Sequence, residues 1–383
     1  MRIAAVTKLL DIKHVFDKNP LQVNEVTAGT ATSVFSQQYA RVRMSTSANN
    51  DLVIRQTKTR PIYQPGKSQL FEGSFSNFQI EANVIKRIGC FNSFTGSPYN
   101  SVFDGFFLES NGITSAHTFN IYRTGTLVYS ADSTSWDSTE FNPTGITWSN
   151  TNLMTADYQW LGVGRMRFGL NLSGKTFYFA EHTSANNEPN VYMSSPNQPI
   201  RYEIRSSGGT GYLDMICTQV CTEGSLNGLY STVGVSQSAS TTINAGVKGA
   251  FIGLRLKQNY KSVVSEIINN TIINTTNVKR EFIVTIEFNP SLNFTPTWVN
   301  VDQSPFQYAL GSAGNSVTGN SGYIISSFVV GADTSVPTVL EFNDNQIRIG
   351  SNVNGTLDEM WVCITPLDNN ATFRGSVNQR YYL

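Results

Sequence analysis

The residues with the strongest claim to chemistry lie between Asp132 and Asn190. Asp132, Asp137 and Glu140, in the run DSTSWDSTE, are carboxylates close enough in sequence for a cation loop or a pair of catalytic acids. Glycoside cleavage needs two carboxyl groups about 5–10 Å apart in a cleft. Ser and Thr on every side make an exposed turn the simpler reading. The run Gly169-Leu170-Asn171-Leu172-Ser173-Gly174-Lys175-Thr176 satisfies the GxxxxGK[ST] pattern of a phosphate-binding loop. Such a loop must open a helix whose amides face the phosphate. Here the strand-forming FYFA follows, and Leu170 and Leu172 continue the alternation of RMRFGLNL. Ser173 and Gly174 therefore predict a hairpin turn rather than a nucleotide site.

Other polar groups point nowhere definite. Glu188-Pro189-Asn190 matches the triplet with which calcium-dependent C-type lectins contact sugar, but the further carboxylates and the Trp-Asn-Asp of that family do not follow it. His14, His117 and His182 are far apart and show no metal-binding spacing. Cys90, Cys217, Cys221 and Cys363 lack metal spacing too, and small buried thiols are expected, with Cys217 and Cys221 on one side of a strand. Trp136, Trp148 and Tyr158 are neighbours in sequence and form the candidate glycan contact, because exposed rings on a jelly-roll face stack on sugars. No catalytic, cofactor-binding or metal residue is assigned, and no cofactor is expected.

These residues must be positioned by strands. Charged residues are 14% of the chain, against about 25% in a typical soluble domain. Asn, Ser, Thr and Gly fill the difference, a composition suited to short strands joined by many turns. At 383 residues two domains are expected. Turn signals recurring every 8–12 residues predict an all-β chain of two jelly-roll-like β-sandwiches, at 58–223 and 224–383, preceded by an extended arm at 1–57. The arm holds the one plausible helix, with Leu9, Ile12 and Phe16 on one face as the candidate docking anchor. The run Val263–Ile273 has helical spacing, but its β-branched content favours a strand. No apolar run is long enough to span a membrane and no secretory signal is evident, so folding in a cytoplasm is expected.

Formal net charge is zero but divided: residues 1–70 hold 10 Lys and Arg against 4 Asp and Glu, +6, which leaves 17 against 23, −6, for the rest. Basic and aromatic residues mix from Tyr39 to Lys67, yet too sparsely for a nucleic-acid face. An arm docking on acidic neighbouring surfaces is the expectation.

The blocks RPIYQPGKSQLFEGSF (60–75), YQWLGVGRMRFGLNLSGKTFYFAEHTSANNEPNVYMSSPNQPIRYEI (158–204), GLRLK (253–257), FIVTIEFNPSL (282–292) and GSNVNGTLDEMWVCITPL (350–367) resemble those of virion-associated proteins of tailed bacteriophages, with relatives in large DNA viruses. The resemblance implies a β-rich particle component: a minor capsid, decoration, head-fibre or tail-appendage protein. The expected reading is thus a non-enzymatic virion protein, made in the host cytoplasm, whose partners are copies of itself and other virion proteins. The alternative is a module binding a host-surface glycan or receptor, and a third reading is a polysaccharide-cleaving enzyme.

Overall fold

The computed structural model describes residues 6–93, 102–161, 163–224, 230–319, 322–332, 336–341 and 348–382. The chain forms two compact units, Met1–Gly228 with Val353–Gly355, and Leu229–Asn352 with Thr356–Leu383. Both are antiparallel β-sandwiches, and the helical content among the described residues is confined to three-residue 3-10 turns. No helix among these residues is long and apolar enough to cross a membrane.

In the first unit an eight-stranded sheet contains β1 (Val6–Lys13), β3 (Thr32–Ser36), β4 (Arg41–Thr46), β6 (Gln69–Ser76), β11 (Asn152–Tyr158), β12 (Arg165–Leu172), β13 (Lys175–Thr183) and β15 (Gly211–Glu223). The facing seven-stranded sheet contains β2 (Val23–Ala28), β5 (Asn49–Thr57), β7 (Val84–Ser93), β8 (Phe103–Asn111), β9 (Ala116–Arg123), β10 (Thr126–Asp132) and β14 (Ile200–Ser207). The chain passes repeatedly from one sheet to the other, at β1–β2, β2–β3, β4–β5, β5–β6, β6–β7, β10–β11, β13–β14 and β14–β15. Alternation puts Met166, Phe168 and Leu170 of β12 in the core beside Phe71, Phe75, Phe106 and Tyr202, as their spacing predicts. Each fully buried Phe contributes about 2–3 kcal/mol of apolar transfer energy.

The second unit stacks a five-stranded sheet (Ser231–Ser236, Thr241–Ile243, Val264–Asn274, Pro337–Glu341, Ala371–Tyr382) on a six-stranded one (Gly249–Leu256, Arg280–Phe288, Val299–Asn300, Phe306–Leu310, Tyr323–Ala332, Glu359–Pro366). Its own core includes Phe251, Leu254, Phe282, Val284, Val362 and Phe373. The ambiguous run at 263–273 is a strand, paired with Ala371–Tyr382, because branched side chains pack on a pleated face. The predicted junction at 224 falls largely on 225–229, outside the described residues.

The N-terminal expectation is corrected. Residues 6–57 are not an arm: they supply β1 to β5, paired within both sheets of the first unit. Nor is there a helix. Val6–Lys13 pairs antiparallel with β15, so Leu10 and Ile12 point into the core while Leu9 is partly covered. Phe16 lies beyond the strand end and is 86% exposed, so Leu9, Ile12 and Phe16 share no face. Several of the basic residues take partners within the unit: Lys8 and Lys13 pair with Asp11, Lys18 and Arg55 with Glu25, Arg41 and Arg43 with Asp214. Arg60 is buried on the Asn197 carbonyl. Four of the six basic residues in the run from Tyr39 to Lys67, namely Arg41, Arg43, Arg55 and Arg60, are thus engaged within the unit.

Candidate functional site

Two sequence features that were read separately meet at one edge of the eight-stranded sheet. β12 and β13 form the hairpin expected for 165–183, with Ser173 (φ 53°) and Gly174 (φ 81°) both left-handed at the turn. The phosphate-loop pattern is thereby explained without a phosphate. Gly174 supplies the turn geometry, and Gly169 allows the close approach of the Phe177 carbonyl, which would lie 2.1 Å from a Cβ there. Lys175 starts a strand instead of facing a helix N-terminus.

β13 carries a bulge opposite Phe168/Gly169, where Phe179 is the extra residue. The freed Phe179 carbonyl accepts the Asp137 amide at 2.8 Å and so pins the acidic loop along the strand edge. Lys175 Nζ reaches Glu140 at 2.9 Å across the same gap. Between loop and strand lies a cleft of about 330 Å³ lined by Asp137, Glu140, Phe141, Arg167, Phe177, Tyr178 and Glu181, among others.

The cleft lies at the sheet edge, with Phe141 and Phe177 on the core side of β13, Tyr178 on its outer side, and charged pairs around them. Phe141 packs on Phe177 with centroids 5.1 Å apart, and the Arg167 guanidinium sits 4.2 Å above the Tyr178 ring. Arg167 is also bonded to Asp157, and Arg165 lies 3.8 Å from Glu181. Asp137 accepts the Thr139 amide and hydroxyl, and these bonds hold its carboxyl below the usual range. Asp132 likewise caps the turn Ser133–Ser135. The predicted carboxylates thus divide: Asp132 and Asp137 fix the loop, while Glu140 faces the gap.

The predicted glycan residues are corrected, because they pack into the core of the first unit. Trp136 is 5% exposed, stacked between Phe119 and Phe179, with its indole N–H on the Ala131 carbonyl. Tyr158 is buried, its hydroxyl bonded to Gln69. Trp148 is half-buried and stacked on His117 at 4.0 Å. Trp136 packs on Phe179 of β13, and Trp148 and Tyr158 pack into the core elsewhere, so the three form no exposed platform. Sequence reasoning missed Phe141, Phe177 and Tyr178. The signal was available in FYFA after the turn, but not which strand would end the sheet.

A second cluster joins His182, Ser184 and Glu188 of the EPN loop. His182 Nε2 lies 2.9 Å from Ser184 Oγ and 3.8 Å from Glu188 Oε1. A nucleophile relay requires serine and acid on different ring nitrogens, whereas here both meet the same one, and Ser184 is fully buried. Among the described residues no three potential metal ligands converge. All four cysteines are free, but Cys217 is exposed, contrary to expectation. A bulge between Met215 and Thr218 leaves it on the outer face of β15, while Cys221, four residues on, is covered.

No family model matches the chain, and no curated protein matches it. Among solved structures it is similar to the carbohydrate recognition domain of Emp47p (12% identity, 57% of this chain and 97% of that one, TM-score 0.37). A glycoside hydrolase family protein from Mycobacterium thermorestibile gives 12% identity over 55% and 99%, at 0.38. The Ca2+/Man-bound exoplasmic/lumenal domain of VIP36 gives 9% over 59% and 100%, at 0.38. At these scores the likeness transfers neither a residue nor a ligand.

Proposed function

We propose that the first unit binds carbohydrate without cleaving it, at the cleft between the 137–141 loop and β13. The observation that carries this reading is a sheet-edge cleft that brings the rings of Phe141, Phe177 and Tyr178 beside the charged groups of Glu140, Glu181 and Arg167. A sugar ring offers apolar C–H faces for stacking and hydroxyls in its plane for carboxylate and guanidinium partners. The rim charges are already matched, which suits a neutral, polar ligand. A glycan array followed by calorimetric titration tests this. Tyr178→Ala and Phe141→Ala are expected to weaken the hit by about tenfold each, from about 1.4 kcal/mol of lost stacking. An array that stays silent at millimolar glycan would defeat the proposal.

A second reading, a structural component of a virus particle, is supported by the resemblance of the sequence blocks and by low charge, 14% of residues, on a many-stranded body. On this reading the glycan cleft is displayed on the particle surface. Immunogold labelling of purified particles decides it: absence of label at every copy number detectable removes the virion role and leaves the cleft untouched.

A further inference from the structure

A second hollow, about 250 Å³ in volume, lies on the outer face of the eight-stranded sheet, where β1, β6, β11 and β15 meet. Asp11, Glu72 and Gln219 line it, with Lys8, Lys13 and Cys217 beside them. Strand register ties this hollow to the candidate cleft. Tyr178 is paired with Gly169, Gly169 with Thr155, Thr155 with Glu72, Glu72 with Gln219 and Gln219 with Asp11. Directly opposed residues share a face of a sheet, so these side chains form one row across six strands. Five strand spacings separate its ends, about 24 Å.

The row is low in its middle. Gly169 has no side chain, and Thr155 is short and buried. Arg167 and Asp157 stand opposite each other on one flank, Asn171 and Leu153 on the other. A furrow therefore leaves the cleft at Tyr178 and runs across the strands into the second hollow. That hollow is polar and balanced in charge. Gln219 Nε2 donates to Glu72 Oε2 at 2.6 Å, and Lys8 and Lys13 both hold Asp11.

We propose that the cleft and this hollow are the two ends of one track for a linear, uncharged polysaccharide, which crosses the sheet from Tyr178 to Asp11. The inference rests on the carbohydrate reading of the cleft and names its ligand class, a chain of several sugars rather than a single terminal one. A pyranose repeat is about as long as one strand spacing, so successive rings meet successive strands. The Tyr178 ring offers a stacking surface at one end, and the low middle gives the chain passage. At the other end the Glu72–Gln219 pair supplies a carboxylate and an amide for hydroxyl groups.

The test is calorimetric titration of the full chain. The probes are the neutral sugar scored highest on the array, as free monosaccharide, and its linear oligomers from dimer to hexamer. Affinity is expected to rise with each added unit and to reach about 100-fold over the monosaccharide at the hexamer. Alkylation of Cys217 with fluorescein maleimide fills the second hollow and leaves the cleft as it is, because the other three cysteines are buried. The conjugate is expected to bind the monosaccharide as before and to lose the gain of the longer chains. Cys217→Ser treated with the same reagent is expected to keep that gain. A hexamer that binds no more tightly than the dimer overturns the track and leaves the cleft reading standing. A conjugate that retains the full hexamer affinity overturns it as well. Absence of binding at every length removes the carbohydrate reading and the track with it. Should the conjugate unfold, the length series alone decides.

Discussion

Asp214 is a heavily engaged side chain of the first unit. Wholly buried on β15, it accepts from Arg41 and Arg43 of β4 and from Ser76 and Asn77 at the end of β6. Burial alone would push its carboxyl up, but the bonds from Arg43 and Ser76 and the charges of both arginines outweigh this and hold it low. Asp214→Ala leaves two guanidinium groups facing an apolar wall. We expect a loss of about 3 kcal/mol by urea unfolding, the low end for a broken buried pair because Arg43 keeps contact with water. His14 and His117 behave oppositely to a salt-bridged histidine. Burial pushes each down to about 4, with Arg55 adding to the effect at His14 and Lys86 at His117. The folded state thus binds fewer protons than the unfolded one between the ordinary histidine value and about 4. Stability is full above about 6.5 and falls as pH drops toward 4. A His117→Gln variant, which keeps a donor for the Phe78 carbonyl, is expected to flatten part of that fall in a series of thermal midpoints.

At the scale of elements, the β12–β13 hairpin is a turn-specified unit. Ser173 and Gly174 both occupy the left-handed region, where serine is strained and asparagine is tolerated. Ser173→Asn should therefore stabilise by a few tenths of a kcal/mol and Gly174→Ala destabilise by about 1 kcal/mol, read from denaturant midpoints. ATP added to either protein should shift no thermal midpoint, since Lys175 already faces Glu140 and no helix receives a phosphate. The N-terminal strands are equally integral. Deleting 1–57 removes β1 to β5, uncovers β15 along one edge, and takes the core residues Ile12, Met44 and Val53 with it. We expect that truncation to lack a cooperative unfolding transition by circular dichroism, whereas a detachable arm would leave the transition unchanged.

At the scale of the molecule, each unit has its own core, and the candidate cleft is built from residues of the first unit alone. On the proposed reading, a single shallow cleft of about 330 Å³ with matched charges supports modest affinity, and titration is expected to need millimolar monosaccharide.

What could be read from the chain alone was whatever neighbouring side chains encode. The alternation of RMRFGLNL, the Ser173–Gly174 turn and the β-branched run at 264–274 depend on residues within a few positions, and strands stand there. The tertiary structure decided the partners. β1 became a strand because β15, some two hundred residues away, offers it an edge, and that pairing turned Leu10 and Ile12 inward in place of a helical face. Trp136 is covered by Phe179 of β13 and Tyr158 is turned into the core beside Phe106, while the acidic loop and the hairpin became one site through the Phe179 bulge. Alternation says that a strand has two faces. Which face is covered, and which edge remains open, is fixed only by long-range hydrogen bonding and packing between segments that the sequence keeps far apart.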